Sequence, residues 1–300
     1  MSNADASAHR AGFVVLGGRT NVGKSTLLNR LVGQKVAIVT PKPQTTRRRI
    51  VGIRNDPDAQ VILIDTPGLH QARRELNRRM VETARRCMGE GEVIVGVIDA
   101  AKAFDREERT FLAEMAKSGR PSIVAVNKID LVSREQLIEL VAAVHEVIAA
   151  AEIVPVSALK GENVDELVRV ITQMLPESPA LMPGDEYTDQ TARMIAEEVI
   201  REKIFLAMQQ EIPFSTAVQV EQFTEEPERN FNRISAVIVV DRESHKGMVI
   251  GAGGRQLKEI GTGARLELEG ILGVRIFLEL RVKVEKGWTS DPRKLKELGF

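Results

Sequence analysis

One cysteine in 300 residues, Cys87, leaves no possibility of an internal disulfide. An isolated thiol in a helix-forming stretch reads as apolar filling in a reduced, cytosolic protein. The four histidines are scattered without metal-ligand spacing. Charge of one sign is missing too. Forty-two Lys and Arg face 42 Asp and Glu, and bulk electrostatics therefore argue for no polyanionic partner. No apolar run approaches the roughly 20 residues that a bilayer-spanning helix needs. Met1 to Arg10 is small and polar, without the apolar core of a signal peptide. What remains is 43% hydrophobic residues over a length that suits two domains, each with its own core.

Strand-like and helix-like segments alternate from Phe13 to about Leu175. Strands are expected at 13–17, 50–54, 60–64, 93–98, 121–126 and 153–156. Helices are expected at 24–33, 74–89, 105–117, 133–150 and 163–174. This rhythm predicts a doubly wound α/β sheet with helices on both faces. The first strand runs into Gly18-Arg19-Thr20-Asn21-Val22-Gly23-Lys24-Ser25-Thr26, a G-x-x-x-x-G-K-S loop opening a helix. Such a loop turns successive N–H groups inward around α- and β-phosphates at a helix N-terminus. Lys24 would place its cation on the β/γ-phosphates and Ser25 would offer a hydroxyl to Mg²⁺.

Two further motifs follow in order. Asp65-Thr66-Pro67-Gly68-Leu69 ends a buried-strand pattern. There a carboxylate can hold the metal through water, and the Gly68 N–H can sense a γ-phosphate. Asn127-Lys128-Ile129-Asp130 ends another strand. The Asp130 carboxylate can accept from guanine N1–H and N2–H₂, a donor pair that adenine lacks. The Lys128 stem can cover the base and Asn127 can tie this loop to the phosphate loop. Ser157-Ala158-Leu159 follows a later strand, and a backbone N–H of this stretch could meet guanine O6. Together these motifs imply Mg²⁺·GTP bound and hydrolysed, with Lys24, Thr46 and Gly68 as the catalytic candidates.

The metal also needs a threonine from the segment after the first helix, where Thr40, Thr45 and Thr46 are available. Gln44-Thr45-Thr46-Arg47 resembles switch I of translation-factor-type GTPases, which points to Thr46 first and Thr45 second. Ras-like enzymes orient the attacking water with a Gln just after D-x-x-G. That position is Leu69 here, so slow intrinsic hydrolysis is expected, with the water positioned by another group, by backbone or by a partner. Asn21 stands where some related GTPases bind K⁺, which marks K⁺ activation as a testable reading.

Pro176-Glu177-Ser178-Pro179 and Met182-Pro183-Gly184-Asp185 interrupt the alternation and read as a linker. The expected organisation is a flexible N-terminus at 1–10, a GTPase domain at 11–176, a linker at 177–190, a second domain at 191–286 and a tail at 287–300. In the second domain a long helix is expected at Thr191 to Gln210. Hairpin strands follow at Ala217 to Glu225 and Arg233 to Asp241, and a last strand at Val274 to Val284. Between them, Gly251-Ala252-Gly253-Gly254 joins two helices. The order α-β-β-α-α-β with a G-x-x-G loop resembles a type II KH domain, which clamps a single-stranded RNA backbone. Lys246, Arg255 and Lys258 lie close to the loop, with Met248, Val249 and Ile250 as candidate lining for an apolar groove. Ten Lys and Arg against seven Asp and Glu across 231–286 give only +3. That favours a selective groove over bulk electrostatic coating.

These motifs, with Glu197 to Lys203 after the linker and the closing Lys286-Gly287-Trp288, resemble the Era family of bacterial GTPases from Gly12 to Phe300. The resemblance implies a factor that binds GTP and GDP, contacts 16S rRNA near its 3′ end through the KH domain and assists 30S subunit assembly; a monomer is expected because no coiled-coil seam appears. Family members can also associate peripherally with the inner membrane, for which no anchor is visible here. One departure is Ala252, where the family often has Lys; this removes one phosphate contact, so that affinity is either lower or shifted to Arg255 and Lys258. The rival reading is a GTP-dependent membrane-associated or cell-cycle signalling module with the KH fold as a protein-binding platform. A metabolic NTPase is a poor third, because no second substrate pocket is evident.

Overall fold

The computed structural model describes residues 9–69 and 75–300. The expectations for residues 1–8 and for a helix starting at 74 fall outside them. The chain divides into two compact units. The first comprises Met1–Ala37, Thr46–Gln71 and Met80–Asp189; the second comprises Ile38–Thr45, Ala72–Arg79 and Gln190–Phe300.

In the first unit, β1 (Arg10–Gly17) leads through the glycine loop into α1 (Lys24–Val32), then β2 (Ile50–Asp56) and β3 (Ala59–Asp65). Next come α2 (Glu75–Met88, in this unit from Met80), β4 (Val93–Asp99), α3 (Arg106–Lys117) and β5 (Ser122–Asn127). Finally α4 (Arg134–Val147), β6 (Glu152–Val156) and α5 (Val164–Met174) complete it. The sheet order is β2-β3-β1-β4-β5-β6. All neighbours are parallel except β2, which runs antiparallel to β3 at the edge. Strand side chains alternate between two cores. Val14, Leu16, Val95 and Val97 meet Leu27, Leu28 and Leu31 of α1 and Leu167 and Ile171 of α5. Ile94, Ile98, Val124 and Val126 meet Phe111, Leu112 and Met115 of α3 and Val144 of α4. Cys87 of α2 is buried on that second face of the sheet, among Val15, Ile62 and Ile64. Both faces of the strands are therefore apolar, which is why they read as continuous hydrophobic runs. Each fully buried aliphatic side chain contributes roughly 1.5–3 kcal/mol, so the sheet's C-terminal edge is a rigid rim for the loops that follow.

The Pro-rich stretch expected as a linker is laid along this first unit. The buried Gln60 accepts from the N–H groups of Leu181 (2.7 Å) and Met182 (2.8 Å) and donates to the Met182 carbonyl (2.8 Å). Thr188 Oγ1 donates to the Val51 carbonyl at 2.7 Å. A buried side-chain amide must satisfy both its ends, and it does so by capturing a segment that composition alone marks as loose.

The second unit contains α6 (Ala192–Ala207), β7 (Thr216–Glu226), β8 (Phe231–Val240), α7 (Glu243–Ile250), α8 (Arg255–Leu272), β9 (Arg275–Val284) and α9 (Pro292–Glu297). Its sheet order is β7-β8-β9, with β7/β8 antiparallel, bulged at Val220/Gln222, and β8/β9 parallel. Val199, Ile200 and Ile204 of α6 and Ile260, Ala264 and Leu268 of α8 pack on Ile234, Ala236 and Ile238 of β8. The segment Ile38–Thr45 belongs to this unit. The Val39 N–H donates to Glu202 Oε1 (3.0 Å), and Arg201 Nη1 donates to the Thr45 carbonyl (2.6 Å).

Candidate nucleotide site and nucleic-acid groove

The phosphate loop begins where no side chain fits. Gly18 has φ +141°, and a Cβ there would stand 2.4 Å from the Val97 carbonyl oxygen. The loop's carbonyls are then tied back one by one. Gly18 accepts from the Leu69 N–H (3.0 Å) and Lys24 Nζ (3.1 Å), and Arg19 accepts from Lys24 Nζ (2.8 Å). Asn21 accepts from Lys128 Nζ (2.9 Å), Val22 from Asn127 Nδ2 (2.8 Å) and Gly23 from the Leu27 N–H (2.8 Å). Where a carbonyl is held from the base-reading turn, as Lys128 and Asn127 hold those of Asn21 and Val22, the N–H of the same peptide plane points the opposite way, toward the concavity. Gly23 is the N-cap of α1 without any side-chain cap, so the first N–H groups of the helix face the same concavity. Lys24 is buried within it, and burial lowers its pKa to about 8 against the opposing pull of Asp65.

Beside it lies a cluster of hard oxygens. Ser25 Oγ donates to Asp65 Oδ2 at 2.6 Å and lies 2.8 Å from Thr46 Oγ1, which is itself 3.2 Å from Asp65 Oδ2. Asp65 is fully buried, and its Oδ1 has no partner among the described residues. Burial pushes the carboxyl's pKa up; Lys24 and the two hydroxyls oppose that. Two hydroxyls and an orphaned carboxylate oxygen suit Mg²⁺ completed by phosphate oxygens and water. Among the described residues no group of three His, Cys, Asp or Glu could hold a metal alone. Thr45 is turned elsewhere: its Oγ1 donates to the Lys42 carbonyl (2.8 Å) and lies 2.7 Å from Thr40 Oγ1. Thr66 Oγ1 donates to the Leu16 carbonyl (2.9 Å), and Gly68 lies so close to Thr20 that a Cβ would sit 2.7 Å from its Cγ2. Leu69 offers only hydrocarbon toward any attacking water.

The third corner is knotted by Asn127. Its Nδ2 holds the Val22 carbonyl and its Oδ1 accepts from the Ala158 N–H at 3.0 Å. Within the Ser157-Ala158-Leu159 stretch expected to offer an N–H to guanine O6, the Ala158 N–H is thus held by Asn127. Asp130 Oδ1 accepts from Ser157 Oγ (2.6 Å). Lys128, in left-handed backbone, stretches across the base position to Asp99 Oδ2 (2.6 Å) as well as to Asn21. Asp99 at the end of β4 had no signal in the sequence beyond being an acid at a strand end. Glu108 on α3 was also missed. It is buried, its Oε1 has no partner among the described residues, and burial raises its pKa to about 7, with Arg19 opposing and Asp105 and Asp99 adding to the rise.

In the second unit, α7 and α8 are joined by a turn with positive φ at Gly251 (+72°), Gly253 (+60°) and Gly254 (+78°). A Cβ on Gly251 would lie 2.7 Å from that of Gln256. Gly254 is the uncapped N-cap of α8. A groove of about 330 Å³ runs from this turn and is lined by Gly254, Leu257, Lys258, Gly261, Thr262, Arg265, Leu278 and Leu280. The lining thus comes from α8 and β9. Val249 is fully buried in the core beneath α7 and cannot serve, whereas Met248 is exposed. Lys246 is half-buried on α7, Arg255 is exposed at the start of α8, and Ala252 is exposed in the turn with no charge to offer.

A family model described as a 50S ribosome-binding GTPase matches residues 13–128, and a KH domain model matches 211–289. GTPase Era of Syntrophus aciditrophicus is 48% identical over 291 residues, spanning 97% of this chain and 95% of that protein. GTPase Era of Geobacter metallireducens is 45% identical, spanning 97% and 98%. Two solved structures superpose with a TM-score of 0.93, each covering 97% of this chain and 99% of the other. One is a variant of Aquifex aeolicus Era bound to GDP·AlF₄⁻, 40% identical. The other is Era in complex with MgGDPNP and nucleotides 1506–1542 of 16S ribosomal RNA, 41% identical.

Proposed function

Since the chain belongs to the Era family of GTPases, we propose that it is a nucleotide switch that binds 16S rRNA near its 3′ end and assists 30S subunit assembly. The observation that carries this is the groove from Gly254 along α8, in a chain matching Era captured with MgGDPNP and a 16S rRNA fragment over nearly its whole length. The Gly251–Gly254 turn would clamp a phosphodiester, with Lys258 and Arg255 as cations and Leu257, Leu278 and Leu280 receiving base faces.

For hydrolysis, the loop N–H groups and Lys24 would hold the β- and γ-phosphates. Ser25, Thr46 and Asp65 would hold Mg²⁺, which neutralises charge building on the phosphoryl oxygens. The Gly68 N–H would report the γ-phosphate and release on its loss. Water must be oriented by another group, by backbone or by a partner, because Leu69 cannot do it. K⁺ bound near Asn21 would add transition-state charge. Equal single-turnover rates in Na⁺ and K⁺ would remove that element. A monomeric, cytoplasmic protein with peripheral inner-membrane contact belongs to the same reading.

The test is binding to a short RNA copying the 3′ end of 16S rRNA, with GDP and with a non-hydrolysable GTP analogue, for wild type and Gly254→Asp. Tighter binding in the GTP state, lost in Gly254→Asp, is expected. Equal binding in both states would remove the gating, and no binding would overturn the RNA role.

A further inference from the structure

The 157–161 loop beside the base position has its donors almost fully spent. Ser157 N–H donates to the Glu162 carbonyl (3.1 Å), Ala158 N–H to Asn127 Oδ1 (3.0 Å), Lys160 N–H to Ser157 Oγ (3.1 Å) and Gly161 N–H to the Ser157 carbonyl (2.7 Å). Among the described residues this leaves the Leu159 N–H as the loop's available backbone donor. The carbonyls flanking it are held from α1: Arg30 Nε donates to the Ala158 carbonyl at 3.1 Å and Arg30 Nη2 to the Leu159 carbonyl at 2.7 Å. The Gly161 backbone, at φ +83°, passes the guanidinium with room for it; a Cβ there would lie 3.6 Å from Nη1.

A trans peptide is planar, and its C=O and N–H point in opposite directions. The Ala158 carbonyl and the Leu159 N–H share one such plane. Holding that carbonyl against α1 therefore turns the Leu159 N–H away from α1. Ser157 Oγ is bonded to the Asp130 carboxylate, which places this loop at the edge of the base that Asp130 reads. The rigid fork of a guanidinium can grip two successive carbonyls at once, which a lysine ammonium cannot do with the same geometry.

We propose that Arg30 is a positioning residue for base choice, aiming the Leu159 N–H at guanine O6 by holding the Ala158 and Leu159 carbonyls. Arg30 stands in the last turn of α1, away from Lys24 and Ser25 at its start, and it acts on the loop through the Ala158 and Leu159 carbonyls. Its effect falls on one edge of one base, and that separates it from a general stabiliser of the loop.

The experiment measures the affinities of wild type, Arg30→Ala and Arg30→Gln for GDP, 6-thio-GDP and IDP. Sulfur at position 6 is a poor acceptor and probes the Leu159 N–H, whereas IDP lacks the N2 amino group and probes Asp130. Wild type should prefer GDP over 6-thio-GDP, and both variants should lose about three- to tenfold of that preference, the scale of one weakened hydrogen bond. Their GDP-to-IDP ratio should stay at the wild-type value, and kcat at saturating GTP should not change while KM rises. Equal weakening toward all three nucleotides would reduce Arg30 to a structural role and overturn the proposal. Unchanged affinities in both variants, or a wild type indifferent to sulfur at position 6, would overturn it as well. Thermal unfolding of the variants without nucleotide shows that the fold is intact.

Discussion

Asn127 is the residue whose loss should loosen the nucleotide site most for the smallest change in side-chain volume. It is buried at the end of β5 and joins three loops: its amide holds the Val22 carbonyl at 2.8 Å, receives the Ala158 N–H at 3.0 Å and begins the base-reading turn. Asn127→Ala deletes both bonds and strands a carbonyl and an N–H in a site that admits little water. Each orphaned group costs about 1–3 kcal/mol. Allowing for partial relaxation, the sum is about 3 kcal/mol, or roughly a hundredfold in nucleotide affinity. Asn127→Asp should be no milder, since it keeps the acceptor for Ala158 but sets a carboxylate oxygen against the Val22 carbonyl. Stopped-flow release of a fluorescent GDP, paired with thermal unfolding, reads both consequences. A release rate within threefold of wild type would refute the reasoning, because the three loops would then hold their places without the knot.

Glu108 should confer a pH dependence. Its folded pKa of about 7 exceeds the ordinary 4.5, so the native state holds an extra proton between these values. Its contribution is intact below about pH 4.5 and is lost as pH rises through 7. Glu108→Gln should therefore gain up to about 3 kcal/mol over wild type at pH 8 and little at pH 4.5, measured by urea unfolding at both. Asp65→Asn should make GDP release insensitive to EDTA, whereas chelation should speed release from wild type by about tenfold or more; an equal EDTA response would contradict the metal cluster. Gly251→Ala forces a Cβ to 2.7 Å from that of Gln256 at φ +72°. It should destabilise the second unit by about 1–3 kcal/mol and weaken RNA binding, while leaving GDP affinity unchanged; a neutral result would show that the turn can shift.

The sheet strands were legible because burial on both faces turns them into apolar runs such as Val93 to Ile98. The direction of β2 was not legible, since an edge strand carries the same residues either way. The phosphate and base motifs could be read because their spacing is local: a loop must close on one nucleotide within a few residues. Arg30 and Asp99 carried no such spacing. Arg30 reaches its carbonyls 128 and 129 residues away, and only the fold brings them together. Val249 was misplaced for a simpler reason. Adjacency to the glycine turn pointed to the groove, but in α7 a step of one residue separates the exposed Met248 from the buried Val249.

The outward-facing carbonyls of the phosphate loop also bear on evolution. Main-chain groups do much of the gripping there, and chain outside the loop holds them in place through Leu69, Asn127 and Lys128. The exposed Asn21 and half-buried Arg19 and Thr20 are thus relieved of the duty of binding phosphate. Side chains at these positions can take on other uses, as Arg19 does in bridging Asp105 and Glu107, while the anion cradle beneath them stays the same.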